Sequence, residues 1–308
     1  MIVKETVEIE ADAFYRVRDI SSFENKVLPY IYGGGIYYKT IIPKVDGGRT
    51  YYRVPIKTKT LSQLVTALTG MLRYSPSCRL ETLDIRRAPK RRRLVLTPRR
   101  SLLGIILKPS LSYESNLVRR LVEKSLDHDI DFIKDDDASG YGILEAQQIQ
   151  NLLKNRIAYF QKIVHPSSLV SDSAMVVPWV DGWYLLDQMS QICPTISHCA
   201  NLPPYVSWPA YITLSRLSGA DFVIIPDSKF DKTLNIKQAL EAATGKLENL
   251  PPVRLIISGG VNPQRIKEIL DSVKETYYEN IDFAVGSWLF SGDLDKNFKL
   301  LKRTIEND

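Results

Sequence analysis

The sequence is poor in sulfur and imidazole. Its 308 residues hold three cysteines and three histidines. Cys78, Cys193 and Cys199 stand at no metal-binding spacing, and an odd count leaves one thiol unpaired, so reduced cysteines are expected. No apolar run approaches the roughly 20 residues a bilayer demands, which argues against a spanning helix. The start, Met1-Ile2-Val3-Lys4-Glu5, lacks the apolar core of a signal peptide, and a cytoplasmic location is expected. Gly33-Gly34-Gly35 lacks the Lys-Ser/Thr that completes a phosphate-binding loop and reads as a turn or close backbone approach.

What is present is ordinary for a globular protein: 44% hydrophobic and 25% charged residues, enough for one large domain or two smaller ones. The net charge of +6 is concentrated in Arg86, Arg87, Lys90, Arg91, Arg92, Arg93, Arg99 and Arg100. Phosphate binding needs such clustering. No aromatic residue interleaves it and no nucleic-acid motif accompanies it, so it reads as an exposed linker and nucleic acid is not expected as a partner.

Residues 1–98 read as a small α+β domain. Thr6 to Glu10 alternates, Ile36-Tyr37-Tyr38 and Tyr51 to Val54 are β-rich, and Leu61 to Leu72 carries Leu61, Leu64, Val65 and Leu68 on one helical face. Pro89 and Pro98 bracket Leu94-Val95-Leu96 as a hinge. Residues 99–308 alternate strands and helices, which predicts a parallel α/β architecture. Gly104 to Leu107 reads as a buried strand, Glu114 to Leu126 as a helix and Ile130 to Ile133 as a second strand, together a βαβ unit. Gly142 to Val164 reads as one long helix. Further strands are expected at Ala174–Val180, Pro194–His198, Asp221–Pro226, Arg254–Ser258 and Ile281–Val285, and helices at Ile236–Ala243, Pro263–Tyr277 and Leu294–Ile305.

The first two barrel strands end on charge. Lys108 follows one, and Lys134-Asp135-Asp136-Asp137 ends the other, at the edge where parallel α/β folds place their chemistry. Carboxylates are hard oxygen ligands that suit Mg²⁺. A lysine beside them either neutralises them or, as a carbamate, joins them. The bland alternative is a solvated charge run.

These residues resemble the RuBisCO large-chain superfamily. Leu107-Lys108-Pro109-Ser110 followed by Asp131-Phe132-Ile133-Lys134-Asp135-Asp136-Asp137 is similar to its paired KPK and DFxKDDE segments. Arg216-Leu217-Ser218-Gly219-Ala220-Asp221, Ser258-Gly259-Gly260 and Val285-Gly286-Ser287 resemble later segments, and Leu61 to Gly70 and Leu80 to Ile85 resemble its N-terminal domain. The segments occur in family order over nearly the whole chain.

The resemblance implies a TIM-type barrel after the small domain. The Lys134–His198 interval is shorter than in ordinary members. Only Ser167–Asp172 remains to supply a third strand, so a vestigial third helix and an irregularity around the third βα unit are expected. It further implies Mg²⁺ held by a carbamylated Lys134 with Asp136 and Asp137, catalytic roles for Lys108, Lys134 and His198, and a phosphate site at Ser258, Gly259, Gly260, Gly286 and Ser287. Departures are plain: Asp137 replaces a glutamate, Ser110 replaces the second lysine of KPK, and Cys199 and Ile224 replace the arginine and histidine of a second phosphate site. Lys229 is a candidate for the family's loop-six lysine. His128 and His165 read as surface residues. The expected function is Mg²⁺-dependent enolisation of a small-molecule carbonyl compound with one phosphate or none, as a tautomerase, isomerase or decarboxylase rather than a carboxylase. The rival is a non-catalytic RuBisCO-like relic that binds or assembles. A homodimer is expected, although Met71 stands where the family has an asparagine that reaches across.

Overall fold

Alternation of buried and half-exposed residues makes the first sheet. The computed structural model describes residues 8–33, 42–46, 49–91, 100–108, 115–136, 142–199, 201–273 and 275–306. Strands β1 (Ile9–Val17), β2 (Ile42–Asp46), β3 (Arg49–Thr58) and β4 (Cys78–Arg87) form an antiparallel sheet in the order β2-β3-β1-β4. Ala11, Ala13, Tyr15 and Val17 of β1 are buried at period two. The helix Leu61–Thr69 buries the predicted stripe of Leu61, Leu64, Val65 and Leu68, and Tyr15 donates a hydrogen bond to Leu68 O at 3.1 Å. Thr60 caps it by accepting from Gln63 N at 3.2 Å. It ends at Thr69 rather than Leu72, which opens a separate 3₁₀ turn, Leu72–Tyr74.

The chain divides into two compact units, and the first also contains residues 201–219 and 241–252. Within it Leu80 N donates to Tyr205 O at 2.8 Å and Ser207 N to Leu80 O at 2.9 Å. The helix Trp208–Leu217 is buried at every position but Pro209. Its Arg216 donates to the carbonyls of Ala242, Gly245, Leu250 and Pro251 at 2.7 to 3.3 Å. Burial lowers this guanidinium to about 10. Much of the basic stretch is tied down likewise. Arg86 pairs with the buried Asp12 at 3.1 Å and Arg91 donates to Leu217 O at 2.7 Å. Residues 92–99 lie outside the described residues, as do Ile36-Tyr37-Tyr38, Gly34 and Gly35.

The second unit is a closed barrel of eight parallel strands: β5 (Leu103–Leu107), β6 (Phe132–Asp135), β7 (Ala158–Lys162), β8 (Ser173–Val176), β9 (Thr195–His198), β10 (Phe222–Pro226), β11 (Arg254–Ser258) and β12 (Ile281–Val285). Pairing of β12 with β5, Phe283 opposite Leu103, closes it. The lumen is solid. Phe132 and Phe160 meet edge to face at 5.9 Å, and Phe160 and Phe222 at 5.4 Å. Gly104 has no side chain because the Phe132 ring occupies the place of its Cβ. No described helix is long and apolar enough to cross a membrane.

The stretch expected as one helix, Gly142–Val164, is two elements. A helix spans Ile143–Leu153, then Lys154 and Asn155 adopt left-handed φ of 50° and 58° and stop it. The third strand, β7, follows, so Ser167–Asp172 is not that strand. Tyr159 and Phe160 are both buried, and a strand buried on both faces shows no alternation to distinguish it from a helix. Among the described residues, only the 3₁₀ turn Pro166–Ser168 stands where a third helix would be, which bears out the vestigial helix. The barrel is nonetheless complete in its strands. Gln161 holds the short connection, donating to Ser168 O and accepting from Val170 N, both at 2.8 Å. Strand β8 is shorter than expected, because Pro178 opens a helix, Pro178–Asp181. The helix at Pro263 likewise stops at Ser272, and a 3₁₀ turn, Glu275–Asn280, follows.

At the amino ends of the last strands, Arg254 and the fully buried Asp282 form an ion pair, with Nε to Oδ2 at 2.9 Å. Leu102 N donates to the same carboxylate at 2.7 Å. Removing one partner strands the other as a buried charge. Arg254→Met is therefore expected to lower stability by about 3–5 kcal/mol. Urea unfolding measures it, and a loss under about 1 kcal/mol would show that the pair does not hold the barrel.

Candidate active site

Side chains alternate along a strand, and this separates the acidic run by role. Lys134 and Asp136 face the lumen side. Asp135 faces outward, where it accepts from Tyr159 Oη at 2.7 Å and from Lys162 N at 2.8 Å. Asp135 thus ties β6 to β7. Register places Ile106 of β5 beside Lys134 of β6, so the two strands are the parallel neighbours the sequence predicts.

A cavity of about 210 Å³ opens at the carboxyl ends of the strands. Lys108, Lys134, Asp136, His198, Ser258, Gly259, Gly260, Gly286 and Ser287 all line it, together with Ile106, Cys199, Ile224 and Pro226. Asp137 and Ser110 lie outside the described residues. Lys108 Nζ is 3.3 Å from Asp136 Oδ2. Lys134 is buried, with Nζ donating to Asp135 O at 2.7 Å and lying 3.7 Å from Met175 Sδ.

His198 is 5% exposed, and among the described residues its Nδ1 has no hydrogen-bond partner. Its pKa is held well below the ordinary value, first by burial and then by the positive charge of Lys134, with Asp136 opposing. The imidazole is neutral at neutral pH.

The opposite end of the cavity is built from small residues. Gly259 and Gly260 have φ of +85° and +65°, a region that glycine enters freely. A side chain at Gly286 would come within 3.1 Å of Lys108 Cε, so this glycine leaves the lysine its room. The β9–β10 wall differs. Cys199 and Ile224 are buried there, and Ile224 pairs in register with His198. Lys229 does not line the cavity; it pairs with Glu268 at 3.0 Å. His128 lies against Asp295 at 3.2 Å, and His165 accepts from Ser167 N, both away from the cavity.

The sequence reading missed Lys162. It ends β7 as Lys134 ends its lumenal column on β6, and its Nζ lies 3.6 Å from Asp181 Oδ1. Its charge also disfavours protonation of His198. The signal was an apolar run ending in lysine, Tyr159-Phe160-Gln161-Lys162, hidden by the helical assignment.

Among the described residues no three histidine, cysteine or carboxylate side chains converge as a metal site. The described lining carries Lys108 and Lys134 against one carboxylate, Asp136, a balance that suits an anion.

The depressed pKa of His198 has a signed consequence. An unfolded histidine titrates near about 6.5, so below that pH the unfolded chain binds a proton the folded chain refuses. The contribution to stability is complete above about pH 6.5 and falls as pH drops toward the folded value. His198→Phe should flatten this acid-side loss. Urea midpoints at a series of pH values test it, and identical slopes in both proteins would refute it.

Comparisons with known proteins agree on the architecture. No protein-family model and no curated protein matches the sequence. Solved structures do. A RuBisCO-like protein from Rhodopseudomonas palustris superposes with a TM-score of 0.74 at 16% identity, over 97% of this chain and 98% of that one. An octameric RuBisCO from Pyrococcus horikoshii gives 0.77 at 14% identity, over 96% and 87%. A RuBisCO-like protein (MtnW) from Alicyclobacillus acidocaldarius gives 0.68 at 16%, over 96% and 93%. The chain has the fold of RuBisCO and of the RuBisCO-like proteins.

Proposed function

We propose that this chain is a divergent RuBisCO-like enzyme that enolises a carbonyl compound carrying one phosphate or none and does not fix CO₂. One observation carries the reading: two lysines, a carboxylate, a neutral histidine and the glycine-rich ends of β11 and β12 meet on one cavity at the carboxyl ends of the barrel strands. Tautomerase, isomerase and decarboxylase reactions all pass through such an enolisation.

The donor chemistry suits Mg²⁺ on one condition. Lys134 and Asp136 share the lumenal face, so a carbamate on Lys134 would bring a second hard oxygen donor to the side of Asp136, with Asp137 as the third ligand of this proposal. Bound there, the ion would polarise the substrate carbonyl. The remaining work falls to the chain itself. His198, neutral and with Nδ1 unengaged among the described residues, can accept the proton from the carbon next to the carbonyl. Lys108, beside Asp136, supplies positive charge where the enolate oxygen develops. Backbone N–H groups around Ser258, Gly259 and Gly286 receive a phosphate. On the other wall Cys199 and Ile224 cannot make the bidentate clamp that an arginine gives, and a second dianion there would lose its hydration without replacement.

The Lys108–Asp136 pair also favours a second reading. Two charges that neutralise each other need no ligand, as in a non-catalytic descendant of the fold. Calorimetry separates the two. The enzyme should bind Mg²⁺ more tightly with bicarbonate than without, and Lys134→Arg should abolish the difference; absence of Mg²⁺ binding under both conditions selects the relic. In the same instrument a bisphosphate should bind less than roughly tenfold tighter than its monophosphate, a gap of about 1.4 kcal/mol. A larger gap would mean that a second clamp exists.

The assembly we propose is a homodimer, as the sequence resemblance implies. Light scattering at micromolar concentration should give twice the 35.0 kDa chain mass. A monomer would count against an intact site shared between two chains.

A further inference from the structure

We propose that Phe230 is a substrate-contacting residue, an aromatic group over Gly260 beside the anion end of the cavity that selects phosphate esters with a flat or apolar group next to the phosphate. The inference rests on reading Ser258–Gly260 as the phosphate subsite. Phe230 is 70% exposed, and isolated exposed aromatics are common. This one is distinguished by what lies beneath it and by how it is held.

Beneath it is Gly260, which lines the cavity. A Cβ on Gly260 would run into the Phe230 ring, and its φ of +65° already disfavours any side chain. The neighbouring Gly259 has no atom within 4 Å of where its Cβ would stand. One glycine is therefore covered by the ring while the next is open to a ligand. Phe230 itself stands outside the cavity lining, so a phosphate ester at the open glycine would reach the ring with the group it carries past Gly260; the lining toward Ile224 and Pro226 is apolar.

The backbone that carries the ring is a braced turn. Asp227 N donates to Ser258 O at 3.0 Å, and Phe230 N donates to Asp227 O at 2.8 Å. The Asp227 carboxylate accepts from Lys229 N at 3.0 Å and from the Arg265 fork at 2.6 and 2.7 Å. Glu268 then accepts from Arg265 at 2.9 Å and from Lys229 at 3.0 Å. Burial opposes ionisation of Asp227, but Arg265 and the Lys229 N–H outweigh it and keep the carboxyl below its ordinary range. Bidentate, charge-assisted bonds of this kind fix geometry. The turn thus presents Phe230 before a ligand arrives.

Calorimetry with inorganic phosphate and phenyl phosphate tests the assignment on the wild type, Phe230→Ala and Phe230→Leu. An aromatic contact adds up to roughly tenfold in affinity. The wild type should prefer phenyl phosphate over phosphate by roughly that factor. Phe230→Ala should lose the preference while its affinity for inorganic phosphate stays within about twofold, and Phe230→Leu should fall between. The side chain is exposed, so circular dichroism should be unchanged in both variants. An unchanged preference in Phe230→Ala, with phosphate still bound, overturns the role of Phe230 alone. No binding of inorganic phosphate to the wild type overturns the phosphate subsite and this proposal together.

Discussion

The period of two along each barrel strand is the constraint on which both core and cavity depend. Inward positions form columns, and six of the eight columns change character at the carboxyl end. Ile106 is followed two residues later by Lys108, Phe132 by Lys134 and Asp136, Phe160 by Lys162, Ile196 by His198, Ile256 by Ser258 and Ala284 by Gly286. The lower members of these columns pack the lumen solid. The upper ones have no strand above them to pack against and, apart from Lys162, meet at the cavity. A slip of one residue in β5 or β6 would exchange an apolar lumenal residue for an outward one and remove a charged group from the cavity at the same time. Stability and chemistry are therefore specified by one register.

The two ends of the barrel use charge in opposite ways. At the amino ends Arg254 and Asp282 are shut in with a short, bidentate geometry and a backbone N–H for support. Such a pair resists change. At the carboxyl ends Lys108 and Asp136 are 3.3 Å apart on a cavity wall, and Lys162 and Asp181 are 3.6 Å apart. These contacts are longer than strong charge-assisted hydrogen bonds. The solid lumen below excludes water, so the lysines act on His198 through a medium that screens them weakly. Neutral imidazole follows first from burial and then from these lysines together.

Legibility followed the same physics. The strand ends at Lys108, Lys134, His198, Ser258 and Gly286 could be read because a short apolar run stops at a polar or small residue. Strand β7 could not, since burial on both faces erased its alternation and the preceding helix supplied apolar residues in phase with it. That single error hid Lys162. The parity of Asp135 was available from the sequence in principle, yet three consecutive aspartates give no composition signal for which one turns outward. The partnership of Phe230 with Gly260 was not legible at all, because 30 positions separate them and nothing local joins them. The same holds for Asp227 and Arg265. The resemblance to RuBisCO ordered the segments along the chain, but only coordinates show which atoms share a space.

The cavity is polarised by substitutions at equivalent strand ends. Cys199 follows β9, and β10 carries Ile224 and ends on Pro226, while β11 ends on Ser258 and Gly286 follows β12. The backbone arrangement at the two pairs is similar, and both pairs run parallel in register. What differs is how closely a ligand can approach the main chain. Glycine and serine admit a charged oxygen to backbone N–H groups. Isoleucine and proline keep it at a distance and return no hydrogen bonds for the water they displace. A ligand with one anionic end would therefore find one orientation favoured by several kcal/mol over its reverse. His198 stands on the first of these walls and Lys108 beside the second, so under the proposed function that orientation would also decide which carbon of the ligand faces the imidazole.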